Sequence, residues 1–337
     1  MELAKPQHSF TPKLHYYDSV AILAMTEATN ESPLARELKQ IPGARLKVAE
    51  PLARYTSMKI GGPADYFFEV ANDAALAVLL RALERSRIEF CVLGNGSNVL
   101  VSDRGVRGAV IRLTGDFKRL EWRDEGVGVQ ARVGAAYAVT QLVREAARMG
   151  YAGLEFAEGI PGTVGGALFM NAGAYGSEFE KIVVRVEGMT RRGQRLEFLR
   201  HQMRFSYRDS HLPAGTVVTW VEMRLHRSEI IGVGAKVREL TARRKSSQPS
   251  GFPNSGSMFR NPPGDFAGRL IEAAGLKGKR IGQCQISERH ANFFVNLGGA
   301  KALEVRQLME LARAEVRRQF GVELAAEVKF LGEWPTE

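Results

Sequence analysis

Two glycine-rich segments hold the residues best suited to ligand chemistry. LGNGSNVL (93–100) follows an apolar run, and Gly94, Asn95, Gly96, Ser97 and Asn98 are small enough to leave backbone N–H groups and a hydroxyl around a phosphate. An ordinary tight turn would carry the same residues. The spacing is not the GxGxxG dinucleotide fingerprint, because Val99 stands at the third glycine position, and no GxxxxGK phosphate loop occurs. The second segment, GLEFAEGIPGTVGGALFMNAGAYG, packs seven glycines between Gly153 and Gly176. Such density points to backbone brought against a ligand, since glycine adds no Cβ. Its centre is Gly159, Ile160, Pro161, Gly162, Thr163, Gly165 and Gly166, followed by Asn171 and Gly173, with Thr163 and Asn171 offering polar contacts. Two phosphate-sized loops in one mixed domain predict a dinucleotide whose pyrophosphate is gripped from both sides.

The flanking pattern supplies the elements that must position these loops. PADYFFEV reads as an apolar strand ending near Val70, Asp73 as the cap of a helix carrying Leu76, Leu79, Leu80 and Leu83, and FCVL as a short buried strand stopping at Gly94. GAVIRL (108–113) and the alternation of Val127, Val129, Ala131 and Val133 give further strands. Val139, Leu142, Val143, Ala146 and Met149 share one helical face before a glycine stop at Gly150. Short strands then alternate with turns over 182–225, ending in VVTWVEMRL, where a domain closes. TARRKSSQPSGFPNSGS (241–257) reads as a loop after a helix. The last part holds AGRLIEAAGLKG, the strand NFFVNL, a helix with Leu308, Leu311, Ala312, Val316 and Phe320 on one face, and a strand at Val328 to Leu331. Residues 1–45 read as an N-terminal extension with one short helix near 33–40.

Composition narrows the class. A chain of 337 residues with 45% hydrophobic and 25% charged residues is ordinary globular material of about two domains. No apolar run approaches the roughly 20 residues of a membrane helix. No signal segment opens the chain, and Cys91 and Cys284 form no framework, so a cytoplasmic location is expected. No histidine spacing suggests a metal. The net charge of +10 would attract nucleic acid, anionic lipid or a phosphorylated small molecule, but the cations are interspersed with acids and no aromatic RNA-binding stretch accompanies them.

KIGGPAD (59–65), GNGSNVL (94–100), GIPGTVGGALFMNAGAYG (159–176), FSYRDS (205–210), SGSMFRNP (255–262) and AEV (326–328) occur in an order that resembles the UDP-N-acetylenolpyruvoylglucosamine reductase family, over about residues 50–334. The resemblance implies an α+β chain: a two-subdomain FAD-binding fold of the vanillyl-alcohol-oxidase type plus a smaller C-terminal α+β substrate domain. On that basis 46–225 is the FAD-binding domain, with its internal boundary near 112, and 226–337 the substrate domain. It also implies noncovalent FAD, NADPH as reductant and UDP-N-acetylglucosamine enolpyruvate as substrate, in cell-wall precursor synthesis and hence cell shape and division. A monomer with no nucleic-acid or membrane partner is expected.

Ser257, Arg208 and Glu327 resemble the family's catalytic trio, which makes Ser257 the proton donor, Arg208 the stabiliser of enolate charge and Glu327 a protonated hydrogen-bond donor. A turn serine, a surface arginine paired with Asp209 and a structural ion pair would each look the same in sequence. Tyr175 and Asn261 match family motif positions near the site and are expected substrate contacts; Lys245, with Arg243 and Arg244 beside it, is a candidate contact for a diphosphate or a nicotinamide phosphate, although three cations on a loop are equally the pattern of a solvated surface. Ala326 stands where the family usually has proline, and Arg260 where FKNP is frequent. The short spacing from Asn261 to AGRLIE resembles the type lacking a longer substrate-covering insertion. Another flavin oxidoreductase on the same scaffold is the competing expectation. Its relatives often tether flavin through His or Cys; no histidine lies between His15 and His201, although Cys91 remains.

Overall fold

The computed structural model describes residues 33–126 and 128–335. The upstream part of the expected extension and Val127 lie outside them. The helices are α1 (Pro33–Lys39), α2 (Asp73–Arg85), α3 (Val139–Arg148), α4 (Val164–Phe169), α5 (Ile230–Ser247), α6 (Ala267–Ala273) and α7 (Ala302–Phe320).

The first sheet runs Ala44–Pro51, Pro63–Val70, Val106–Leu113, Phe90–Val92, and only its first pair is antiparallel. Its two central strands, Pro63–Val70 and Val106–Leu113, send buried residues to both faces and carry apolar runs, while the outer strands are half-buried to exposed. Phe68, Ile111 and Leu113 enter the main core under α2, while Phe67 and Val110 enter a smaller cluster with Leu52 and Val101. The period-two exchange of neighbours Phe67 and Phe68 is what a central strand requires. α2 is capped by Asn72, whose carboxamide oxygen accepts from Ala75 N–H at 2.9 Å, and not by Asp73, which lies in the first turn. The short strand Phe90–Val92 is half-buried to exposed instead of buried, because it borders the cavity described below.

The second sheet is antiparallel, in the order Arg195–Leu199, Val183–Met189, Val217–Arg227, Gly128–Gly134, Leu120–Glu125. Its inner face, with Val129, Ala131, Val133, Val221 and Met223, joins the same main core as the first sheet. Leu38 and Ile41 are buried there too, upstream of residue 46 where the sequence places the start of the domain. α5 lies past the expected boundary at 225, yet its Val237 packs on this core. The TARRKSS stretch expected as loop forms the last two turns of α5. Two internal glycines and a narrow buried stripe of Val233, Val237 and Leu240 hide that helix from a periodicity reading.

The last unit is a four-stranded antiparallel sheet, Asn254–Ser257, Phe293–Asn296, Cys284–Ile286, Arg280–Ile281, packed with α6 and α7 around Phe259, Phe294, Leu308 and Met309. Its closing strand Lys329–Leu331 leaves this unit and pairs in parallel with Val99–Val101. That one connection carries the end of the chain back to the first glycine loop. Among the described residues no helix is long and apolar enough to cross a membrane.

Candidate active site

The first loop begins where the ladder of the first sheet stops. Leu93 N–H makes a last bond to Ile111 O at 2.8 Å, and the chain then turns through Gly94–Asn98. Gly96 has φ +59°, and a Cβ there would lie 2.3 Å from Tyr55 O. Among the described residues the N–H groups of Gly94 through Asn98 have no protein acceptor. The run lines the cavity described below, where a bound anion can accept from these N–H groups. Gly96→Ala is expected to cost about 1–3 kcal/mol through left-handed strain and the Tyr55 clash, read as a lower Tm of the purified protein.

The second loop ends in α4, whose first turn is capped by Thr163: its hydroxyl accepts from Gly166 N–H at 3.3 Å. Gly165 N–H bonds Ala135 O at 2.9 Å, and a Cβ at Gly165 would sit 2.9 Å from that of Ala135. The two loops lock together. Ser97 Oγ donates to Pro161 O at 2.9 Å, and a Cβ at Gly94 would come within 2.6 Å of Thr163 Oγ1. The N–H groups of Gly162 and Thr163 also lack a protein acceptor among the described residues. Both loops line one cavity of about 960 Å³, as do Gly173, Arg208, Ser257 and Glu327.

The C-terminal unit brings two of the expected trio, Ser257 and Glu327, to this cavity. Between the pairs Asn254–Val295 and Ser257–Phe293 the strand carries an extra residue, with Gly256 at φ +72°. Such a bulge re-aims the next side chain, here Ser257, toward the cavity. Ser257 is then held beside the last segment: Glu327 N–H bonds Met258 O at 2.8 Å, and Phe259 bridges Ala326. Asn98 Nδ2 donates to Glu327 O at 3.2 Å, and Lys329 N–H to Asn98 O at 3.0 Å, which ties this segment to the first loop.

Arg208 comes from the opposite side, on a two-residue turn closed by Ser206 and Asp209, with φ +61° at Arg208 itself. Its Nε donates to Glu327 Oε1 at 2.9 Å and a terminal nitrogen to Gly173 O at 3.1 Å. The partner of Arg208 is therefore Glu327 and not Asp209. Burial pushes the Glu327 carboxyl above its ordinary value and outweighs the downward pull of Arg208 and Arg260. Cys91 also lines the cavity, its thiol pushed up to about 11 by burial and so protonated at neutral pH.

Several expected contacts fall elsewhere. Lys245 is exposed on α5 and does not line the cavity; Arg244, one residue earlier, does. Arg244 Nε bonds Gln248 Oε1 at 3.0 Å, and its chain packs under Gly159, where a Cβ would meet Arg244 Cδ at 2.5 Å. Gly159 thus makes room for the arginine and is not itself on the cavity wall. Asn261 caps α6, its Oδ1 accepting from Ala267 N–H at 3.0 Å, away from the cavity. Tyr175 lies outside the wall, its hydroxyl donating to Leu240 O at 3.4 Å and its ring under Arg243. Asn171 is fully buried and bonds only protein. Conversely, Arg112, Lys118 and Lys329 reach the cavity unannounced. Lys329 opens the closing strand two residues after Glu327, across a bend at Val328; Arg112 and Lys118 carry no local signal.

A run of unpaired N–H donors on two interlocked loops, beside the cations Arg244 and Lys329, fits a dinucleotide pyrophosphate. The volume sits at the upper end of the roughly 300–1,000 Å³ of small-molecule sites. Comparison with known proteins agrees. Residues 64–198 match a family model described as an FAD binding domain, and residues 248–331 one described as UDP-N-acetylenolpyruvoylglucosamine reductase, C-terminal domain. UDP-N-acetylenolpyruvoylglucosamine reductase 2 of Symbiobacterium thermophilum is 46% identical over 308 residues, covering 90% of this chain and 98% of that protein. The reductase of Rubrobacter xylanophilus is 45% identical over 85% of this chain and 95% of its own. The crystal structure of UDP-N-acetylenolpyruvylglucosamine reductase from Thermus caldophilus superposes with a TM-score of 0.73 at 37% identity, covering 86% of this chain and 98% of that one.

Proposed function

The chain belongs to the UDP-N-acetylenolpyruvoylglucosamine reductase family, and on that premise we propose that its cavity reduces UDP-N-acetylglucosamine enolpyruvate to UDP-N-acetylmuramate with NADPH, in peptidoglycan precursor synthesis. It is an FAD-dependent oxidoreductase. The observation that carries the assignment of roles is the convergence of Arg208, Glu327 and Ser257 on the wall that also holds both glycine loops.

Gly94–Asn98, together with Gly162 and Thr163 of the second loop, would hold the FAD pyrophosphate through N–H groups without a protein acceptor among the described residues, with Gly173 and Arg244 beside them. Bound FAD would supply the hydride chemistry that links NADPH to the terminal enolpyruvyl carbon. Negative charge then develops toward the substrate carboxylate, and Arg208 meets it with the guanidinium N–H groups that Glu327 and Gly173 leave free. Ser257 donates the proton to the carbon bearing the carboxylate. A hydroxyl is a weak acid, but the acceptor is a carbanion-like carbon of high basicity. Burial shifts the Glu327 carboxyl above its ordinary value and so favours its protonated form, the form that would donate a hydrogen bond to the developing enolate.

That last role has a pH signature. The folded-state pKa of Glu327 is raised, so the protonated form is present below it and is lost as pH rises through it. Substrate reduction is expected to fall on the alkaline side, and Glu327→Gln should flatten that limb while lowering the maximum rate. A wild-type pH–rate profile in the variant would assign the limb to another group. The whole proposal is tested by anaerobic absorbance: NADPH should bleach the flavin band, and the UDP-linked enolpyruvyl substrate should restore it. Bleaching without recovery would discard the substrate.

A further inference from the structure

We propose that Asn171 is a positioning residue for Arg208, seating the turn that carries it; this rests on the reaction proposed above. Arg208 occupies the left-handed region at φ +61°, a conformation that costs a non-glycine residue energy and persists only where the surroundings hold it. The turn is closed by Ser206 N–H to Asp209 O at 2.9 Å and Asp209 N–H to Ser206 O at 3.0 Å. Both ends are fastened to the segment that ends α4. Asn171 Nδ2 donates to Ser206 O at 3.1 Å, while its Oδ1 accepts from Glu180 N–H at 3.0 Å. On the other side Ser210 donates to Phe169 O through both its N–H, at 3.2 Å, and its hydroxyl, at 3.1 Å.

Asn171 is fully buried and itself left-handed at φ +39°, where asparagine is better tolerated than most residues. Its carboxamide spends donor and acceptor on two different segments at once. No other side chain of that size offers both in this geometry. The same stretch of chain starts at Thr163 in the second glycine loop and continues to Gly173, whose carbonyl takes a guanidinium N–H of Arg208. One segment therefore builds the cofactor cradle and the seat of the arginine, and Asn171 is its fixed point on the turn.

Asn171→Asp keeps the shape, removes the donor to Ser206 O and sets a second carboxylate against Glu180, whose Oε2 lies 3.5 Å from Nδ2. The holoenzyme variant should bind FAD normally and be bleached by NADPH within about twofold of the wild-type rate, while recovery on substrate slows by roughly 10–10²-fold. Combined with Arg208→Lys, the losses should be far from additive, because both act through one guanidinium. Equal slowing of both half-reactions, lost FAD binding, or additive losses would overturn the proposal. If Asn171→Asp does not fold, Ser210→Ala must show the same split in milder form, and its absence overturns the proposal equally. Wild-type recovery on substrate is read in the same experiment, so a failure of the proposed reaction is distinguished from a failure of Asn171.

Discussion

Ser257→Ala is expected to leave bleaching by NADPH nearly intact and to slow recovery on the enolpyruvyl substrate by roughly 10²–10⁴-fold, the range of a removed general acid. The split follows from position. Ser257 follows the bulge at Gly256 on the C-terminal unit, and its hydroxyl has no protein hydrogen bond among the described residues, so it braces neither glycine loop. Ser255, two residues earlier, is the serine that does brace, donating to Val99 O at 3.2 Å. Ser255→Ala should therefore behave as a stability variant and serves as the control. Rapid single-turnover absorbance measures both half-reactions on one sample. Equal slowing of the two would show that Ser257 shapes the cavity and does not deliver the proton.

The second large effect is Arg208→Lys, which should cut substrate reduction by roughly 10²–10³-fold, the cost of losing one preorganised donor at a developing charge. The guanidinium has five N–H donors in a plane. One goes to Glu327 and one to Gly173 O, and the rest of the fork stays available to a carboxylate. An ammonium on a flexible stem has three donors and no plane, so satisfying the two protein partners leaves it aimed away from substrate. It also loses the stacking over the Tyr207 ring, 4.9 Å from the guanidinium carbon. Glu327 would then be buried beside a less fitted cation, which raises its pKa further and moves the alkaline limb upward. A shift of that limb together with a lower maximum marks the pair as one unit. An unchanged profile with wild-type rates would make Arg208 structural.

Much of the chemistry was legible in order along the chain. Glycine density exposed both loops, because close backbone approach selects glycine wherever it occurs. The strand Gly128–Gly134 announced itself through period-two alternation, Pro63–Val70 through its apolar run, and α2 and α7 through helical spacing. The trio was marked only by its resemblance to a family, since Ser257, Arg208 and Glu327 sit in unrelated stretches with no common local signal.

What only the tertiary structure decided is which side chain of a plausible set faces the cavity. Arg243, Arg244 and Lys245 are equivalent as composition, but they lie on a helix, and each residue turns the side chain by about 100°. The stripe of Val233, Val237 and Leu240 fixes the rotation of α5, and that rotation sends Arg244 inward and leaves Lys245 in solvent. Asn171 and Asn261 belong to motifs beside the site, yet Asn171 is consumed by the turn of Arg208 and Asn261 by the first turn of α6. Both choices depend on partners 35 and 6 residues away, across turns whose geometry the intervening sequence does not state. The terminal strand is the clearest case: its apolar pattern predicts a strand, but backbone hydrogen bonding is blind to sequence, and only packing of the C-terminal unit lays it beside Val99–Val101 and sets Glu327 within reach of Arg208.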